Sequence, residues 1–225
     1  MNSTVTLLVF TLCFGMAFLA AWISIREKSN RLFNSDGEPA SSSVKLLGAH
    51  IAGIFWLGLV PLFLFTQTAI PLLTGAEFPD MYWLVSFSVV FVLIALAGNR
   101  SGRQVHLRYQ NSNLLTGKFV NLYFPVRILF LASYEFFFRG ILLFDLNSSL
   151  GIYPAILIST GLTVLIHVFH DRREMWGCLP FGIILGALCI SIHAVWPAIV
   201  LHITLSMFYE IPPVTRFFSQ LKPTK

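Results

Sequence analysis

Charge is what this chain has least of. Of its 225 residues 11% are Asp, Glu, Lys or Arg and 56% are hydrophobic, 22 of them Phe. Soluble domains carry about 25% charged residues, so the deficit excludes an ordinary soluble domain and places the chain in a bilayer. Cysteine is scarce too. Cys13, Cys178 and Cys189 sit unevenly in apolar segments, where single cysteines serve as small core hydrophobes. No CxxC or zinc-ribbon spacing occurs, which argues against a disulfide framework and a thiolate metal site. The HExxH helix motif of zincins is missing as well. No Lys or Arg precedes Arg26 and no small-x-small site follows the first apolar stretch, so that stretch reads as an uncleaved helix rather than a signal peptide. The net charge of +5 would suit nucleic acid, but the bases are scattered over short loops, and no nucleic-acid partner is expected.

What the chain does contain is long apolar runs. A run of about 20 apolar residues crosses the hydrocarbon core as a helix. Seven are expected, over roughly Val5–Ile25, Leu46–Phe65, Tyr82–Ala97, Leu122–Leu143, Ile152–Phe169, Trp176–Ile192 and Trp196–Ile211. The expected fold is therefore all-α, a polytopic membrane helical bundle of about seven transmembrane helices. Basic residues cluster at 26–45, 100–127, 172–173 and in the tail, whereas the loops at 66–81, 144–151 and 193–195 have none. By the positive-inside rule the basic side is cytoplasmic, giving an integral multi-pass protein with its N-terminus outside and its C-terminus inside. Residues 30–44 are rich in Ser, Asn, Asp and Gly and read as a flexible linker. The chain divides into N-terminal helices and loops at 1–121, a helical core at 122–212 and a cytoplasmic tail at 213–225.

Within this apolar chain a few ionisable residues stand at membrane depth. Glu135 and Arg139 are four apart in Tyr134-Glu135-Phe136-Phe137-Phe138-Arg139-Gly140. That spacing puts acid and base on one helical face, acid first. A charge at the bilayer centre costs about 2.5–3.5 kcal/mol on insertion scales, so such residues face the bundle interior and mark function. His167, with His170 and Asp171 nearby, ends the fifth span, and His202, Ser206 and Glu210 form a polar stripe on the seventh. Imidazole and carboxylate suit Zn²⁺, and a catalytic zinc keeps three protein ligands and a water. His50, His106 and His193 receive structural readings, His50 with the further option of supporting the site.

These residues resemble the CPBP family of intramembrane metalloproteases, which includes type II CAAX prenyl endopeptidases and bacteriocin-processing, Abi-like proteins. The family's Glu-Glu-x-x-x-Arg appears here as Tyr134-Glu135-Phe136-Phe137-Phe138-Arg139. Its Phe-x-x-x-His appears as Thr163-Val164-Leu165-Ile166-His167. Its His-x-x-x-Asn/Asp appears as His202 followed by Ser206, after Trp196-Pro197-Ala198. The resemblance covers about residues 122–210. It implies a metal-dependent endopeptidase cutting a peptide near the cytoplasmic face, with a divalent metal, zinc, as cofactor. His167 and His202 would hold the metal, with Glu135 as a further ligand or as the base. Arg139 would orient Glu135, and Tyr134 and Ser206 would assist.

Two departures bear on the chemistry. Tyr134 stands where the family has its first Glu, and a phenol of pKa about 10 is a poor base. With one carboxylate left at that depth, Glu135 is expected to act as the base. The implied partners are membrane lipid and a peptide or protein substrate, prenylated or membrane-associated, and a bacterial plasma membrane suits the compact size. Two other functions stay open: a catalytically weakened relative acting by binding or immunity, and a proton-coupled transporter. The transporter is disfavoured by the lack of a visible repeat and by polar groups confined to the C-terminal half.

Overall fold

The computed structural model describes residues 3–33, 37–75, 80–107, 115–169 and 172–220. His170 and Asp171 lie outside the described residues, as do Arg108, Lys222 and Lys225. Among the described residues the chain forms eight helices. These are α1 (Ser3–Arg26), α2 (Ser43–Leu64), α3 (Thr66–Thr74), α4 (Met81–Gln104), α5 (117–150), α6 (Ile152–Phe169), α7 (Arg172–Ser191) and α8 (Trp196–Gln220). Side-chain oxygens cap several starts: Ser42 accepts from the Lys45 amide, Asp80 from Trp83 and Thr116 from Phe119. Each satisfies an amide that the first turn leaves without a partner. Gly151, at φ +85°, makes the tight reversal from α5 to α6, where a side chain would be strained.

Six of the eight, all but α3 and α5, are long and apolar enough to cross a membrane. The remaining expected span is α5. It is the most enclosed helix and carries Arg127, Glu135 and Arg139 inside the bundle, so its charges lower its hydropathy while its position protects them. The α4 helix is longer than expected, and α8 continues through Pro212 and Pro213 to Gln220, past the expected start of a tail. Helix ends collect at two ends of the bundle. At one, Trp83 donates to Ser191 at 2.8 Å, and the Val195 amide to the Leu72 carbonyl at 3.1 Å. At the other lie Arg31, Glu174, Phe33 and Phe217. The grouping follows the alternation of basic and base-free loops.

Glycines set the closest helix approaches. A Cβ at Gly98 would come 2.8 Å from the Leu205 carbonyl oxygen, and one at Gly102 would overlap that of Tyr209. This small-xxx-small pair lets the α4 and α8 backbones meet. Arg216 then donates to the carbonyls of Gly102 and Val105 at the end of α4, at 2.9 and 2.8 Å. On α2, Gly58 lies against Ser133, whose Oγ would be 2.5 Å from an added Cβ.

The segment read as a flexible linker is not one where it is described. Leu32, Phe33 and Ala40 are buried and pack with Val105, Leu115 and Phe217. Two adjacent large apolar residues in a polar stretch supply that anchor, outweighing the Ser- and Asn-rich composition around them.

Candidate active site

The α5 helix changes pitch at its polar residues. Regular helix ends at Glu135, and a π-helix runs over Phe136–Leu142 with every residue buried, Arg139 included. Such wide turns inside helices are frequent at functional sites. A second π segment, Ile54–Leu59 on α2, packs close by. Glu135 and Arg139 are each 1% exposed, and Arg139 Nε lies 3.6 Å from Glu135 Oε2. The expected pair on one helical face is present, inside the bundle.

The other carboxylate oxygen reaches α8. His202 Nδ1–H donates to Glu135 Oε1 at 2.5 Å. On α6, His167 falls where regular helix gives way to a single 3₁₀ turn, and its Nδ1–H donates to the Thr163 carbonyl at 2.9 Å. Both rings are thus engaged through Nδ1, and in a neutral ring that bond sets the proton on Nδ1 and the lone pair on Nε2. Tyr134 lies between them, in T-shaped contact with His202 at 5.7 Å and with His167 at 6.2 Å between ring centroids. Its hydroxyl is buried without a hydrogen bond of acceptable geometry, as are Glu135 Oε2, Arg139 Nε and Thr160 Oγ1. The structure therefore gathers Tyr134, Glu135, Arg139, His167 and His202.

Ser206 lies elsewhere, in a neighbouring network that the sequence reading did not assemble. Ser206 Oγ–H donates to Glu210 Oε1 at 3.1 Å, and Arg127 Nε–H donates to the same oxygen at 3.1 Å. The Tyr123 hydroxyl donates to Glu210 Oε2 at 2.7 Å. Arg127 Nη1 donates to His50 Nε2 at 3.0 Å, while His50 Nδ1–H donates to the Leu46 carbonyl. Arg127, which the sequence groups with the basic cluster at 100–127, is 14% exposed and internal. The signal for it was the four-residue spacing of Tyr123 and Arg127, matching that of Ser206 and Glu210.

A cavity of about 120 Å³ joins the two groups. Its walls include Tyr134, His167 and His202 from the first and His50 and Arg127 from the second, with Asn30, Arg31 and Glu174 toward the basic end of the bundle. At that end Arg31 Nη2 and Glu174 Oε1 pair at 2.5 Å, and Arg31 also lies over the Tyr209 ring. Burial pulls the Arg31 pKa down, but Glu174 beside it, together with Tyr209 and Glu210, holds it above its ordinary value.

Residues 118–208 match the sequence model of a family described as type II CAAX prenyl endopeptidase Rce1-like. The resemblance to CAAX-protease-like intramembrane proteases is shown for this segment. The match runs from the start of α5 into α8. It takes in Tyr134, Glu135, Arg139, His167, His202 and Ser206 and stops short of Glu210. Searches of curated proteins and of solved structures give no match.

An Rce1-like segment raises the question of a metal. Metal-ligating histidines almost always donate their second ring N–H to a carbonyl or carboxylate. His167 does so to Thr163 and His202 to Glu135, so the chemistry of this pair fits a metal held through Nε2. Among the described residues no three His, Cys, Asp or Glu side chains form a ready metal-binding group. Glu135 stands behind His202 here, with one oxygen on the imidazole and the other toward Arg139.

Proposed function

We propose that the protein is a metal-dependent intramembrane endopeptidase, cutting a peptide or protein segment that enters the cavity from the basic, cytoplasmic end. The observation that carries this reading is the Glu135–His202 hydrogen bond beneath a cavity also lined by His167 and Tyr134. His167 and His202 would hold the metal, and when bound it would lower the pKa of its water toward about 7. Glu135 orients His202 through Nδ1. Its Oε2 has no hydrogen-bond donor and keeps lone pairs to accept a proton from the attacking water. Arg139 holds that carboxylate in place. The Tyr134 hydroxyl, which makes no hydrogen bond of acceptable geometry, would donate to a developing oxyanion. Ser206 acts more remotely, by fixing Arg127 and Glu210 on the adjoining wall.

The substrates proposed are membrane-associated peptides, including prenylated ones, and the membrane orientation proposed is N-terminus outside and C-terminus cytoplasmic. The full-length protein in liposomes, given matched peptides with and without a C-terminal prenyl group, tests the activity by mass spectrometry of the products. Cleavage by the natural chain, lost in His202→Ala, is the expected result. Peptide binding without cleavage, unaffected by that change, overturns it in favour of the binding or immunity reading, which Tyr134 in place of a second carboxylate would suit.

A further inference from the structure

Thr163 makes three hydrogen bonds that together link the two halves of the site. Its hydroxyl accepts from Arg139 Nη1 at 2.6 Å and donates to the Ser159 carbonyl at 2.9 Å, and its own carbonyl accepts from His167 Nδ1. Arg139 in turn lies 3.6 Å from Glu135, which holds His202. A polar path therefore runs from His202 on α8, through the Glu135–Arg139 ion pair on α5, to Thr163 and His167 on α6, hydrogen-bonded at every step except the 3.6 Å ion pair. The surroundings leave it no slack. Thr163 is buried, Ser159 donates to the Phe138 carbonyl inside the π segment, and α7 closes over the guanidinium at Gly182. A Cβ at Gly182 would stand 2.5 Å from Arg139 Nη2 and 2.8 Å from Thr160 Cγ2.

We propose that Thr163 is a positioning residue whose hydroxyl, through Arg139, couples the orientation of His202 to that of His167. A phenylalanine here, as in the motif that the segment resembles, could not accept from Arg139. From the endopeptidase reading the proposal takes only that both histidines serve one site. Thr163→Val keeps the shape and the carbonyl but removes the acceptor, leaving Arg139 Nη1 without a partner. The Glu135 carboxylate then loses its fixed counter-ion, and His202 loses its single anchored state.

The test is nitrogen-15 NMR of the full chain with labelled histidines, in which ring shifts separate the two tautomers. In the natural protein His167 and His202 should each show an Nδ1-protonated ring. In Thr163→Val the His202 signal should split or broaden between tautomers, while His193, at the opposite end of the bundle, stays unchanged. Thr163→Ser should restore the natural spectrum. An unchanged His202 in Thr163→Val, or a Ser variant that behaves like Val, overturns the proposal. If Thr163→Val also disturbs His193, Thr163→Ala takes its place under the same criterion. Cleavage, once detected, should fall roughly tenfold to a hundredfold in kcat with KM within about twofold, the pattern of a misplaced catalytic group. A coupled pair of histidines in a chain that cuts nothing would overturn the endopeptidase reading and leave the coupling standing.

Discussion

Replacing Glu210 by Leu removes the acceptor for three donors at once: Tyr123 Oη at 2.7 Å, and Arg127 Nε and Ser206 Oγ at 3.1 Å each. The most expensive consequence is a guanidinium, 14% exposed, left with His50 and Ser206 as neutral partners. Two magnitudes compete. Interhelical hydrogen bonds inside a membrane average about 0.6 kcal/mol by double-mutant cycles, because the unfolded helices also find partners. Breaking a buried ion pair by removing one member costs about 3–5 kcal/mol, most of it the stranded charge. Since Arg127 faces the cavity and retains some access to water, the lower end applies, and Glu210→Leu should cost about 3 kcal/mol. Removing the stranded charge as well should reverse most of this, so Arg127→Met with Glu210→Leu should be at least about 1.5 kcal/mol more stable than Glu210→Leu alone. Reversible unfolding in mixed detergent micelles measures all four corners of the cycle. A single-variant cost near 0.6 kcal/mol, or a double variant no better than the single one, would refute the view of this cluster as a desolvated ion pair.

Three further outcomes follow from the packing and topology. Gly102→Ala should lower stability by about 1–3 kcal/mol through overpacking, because its Cβ meets the Tyr209 carbonyl rather than a yielding side chain; an unchanged unfolding midpoint would mean that α4 and α8 do not meet there. Gly182→Ala should displace Arg139, read as loss of the His202 tautomer preference, with Gly177→Ala on the same helix, where nothing lies near the added carbon, as the silent control. Cysteines placed at the exposed Val44 and Met81 should label from opposite sides of a sealed vesicle, Val44 from the cytoplasmic side; labelling of both from one side would break the proposed topology.

The sequence was a good guide wherever one physical rule dominated. Apolar runs far longer than a soluble core needs gave the all-helical membrane fold, and charge at depth singled out Glu135 and Arg139 before any neighbour was known. It was a poorer guide where two rules opposed each other. Composition made residues 30–44 a linker, but Leu32 and Phe33 dock them against α8. The positive-inside count groups Arg127 with the basic cytoplasmic cluster, but Glu210, 83 residues on, holds it inside the bundle. The matching four-residue spacings of Tyr123–Arg127 and Ser206–Glu210 hint at that pairing, but the pairing itself depends on how α5 and α8 cross. The π segments were invisible, since their wide turns arise from packing against neighbouring helices rather than from propensity. The resemblance sets Ser206 as an assisting residue of the Glu135 site, and its bonds go to Glu210 and Arg127 on the adjoining wall.

The most direct test of the account is the metal content of the purified full-length protein beside that of Glu135→Gln, His167→Ala and His202→Ala. With Glu135 acting as base and support of His202, and the two histidines as ligands, Glu135→Gln should keep most of its metal while losing cleavage, and each histidine variant should lose both. Metal lost from Glu135→Gln to the same extent as from the histidine variants, or retained in all three, would contradict it.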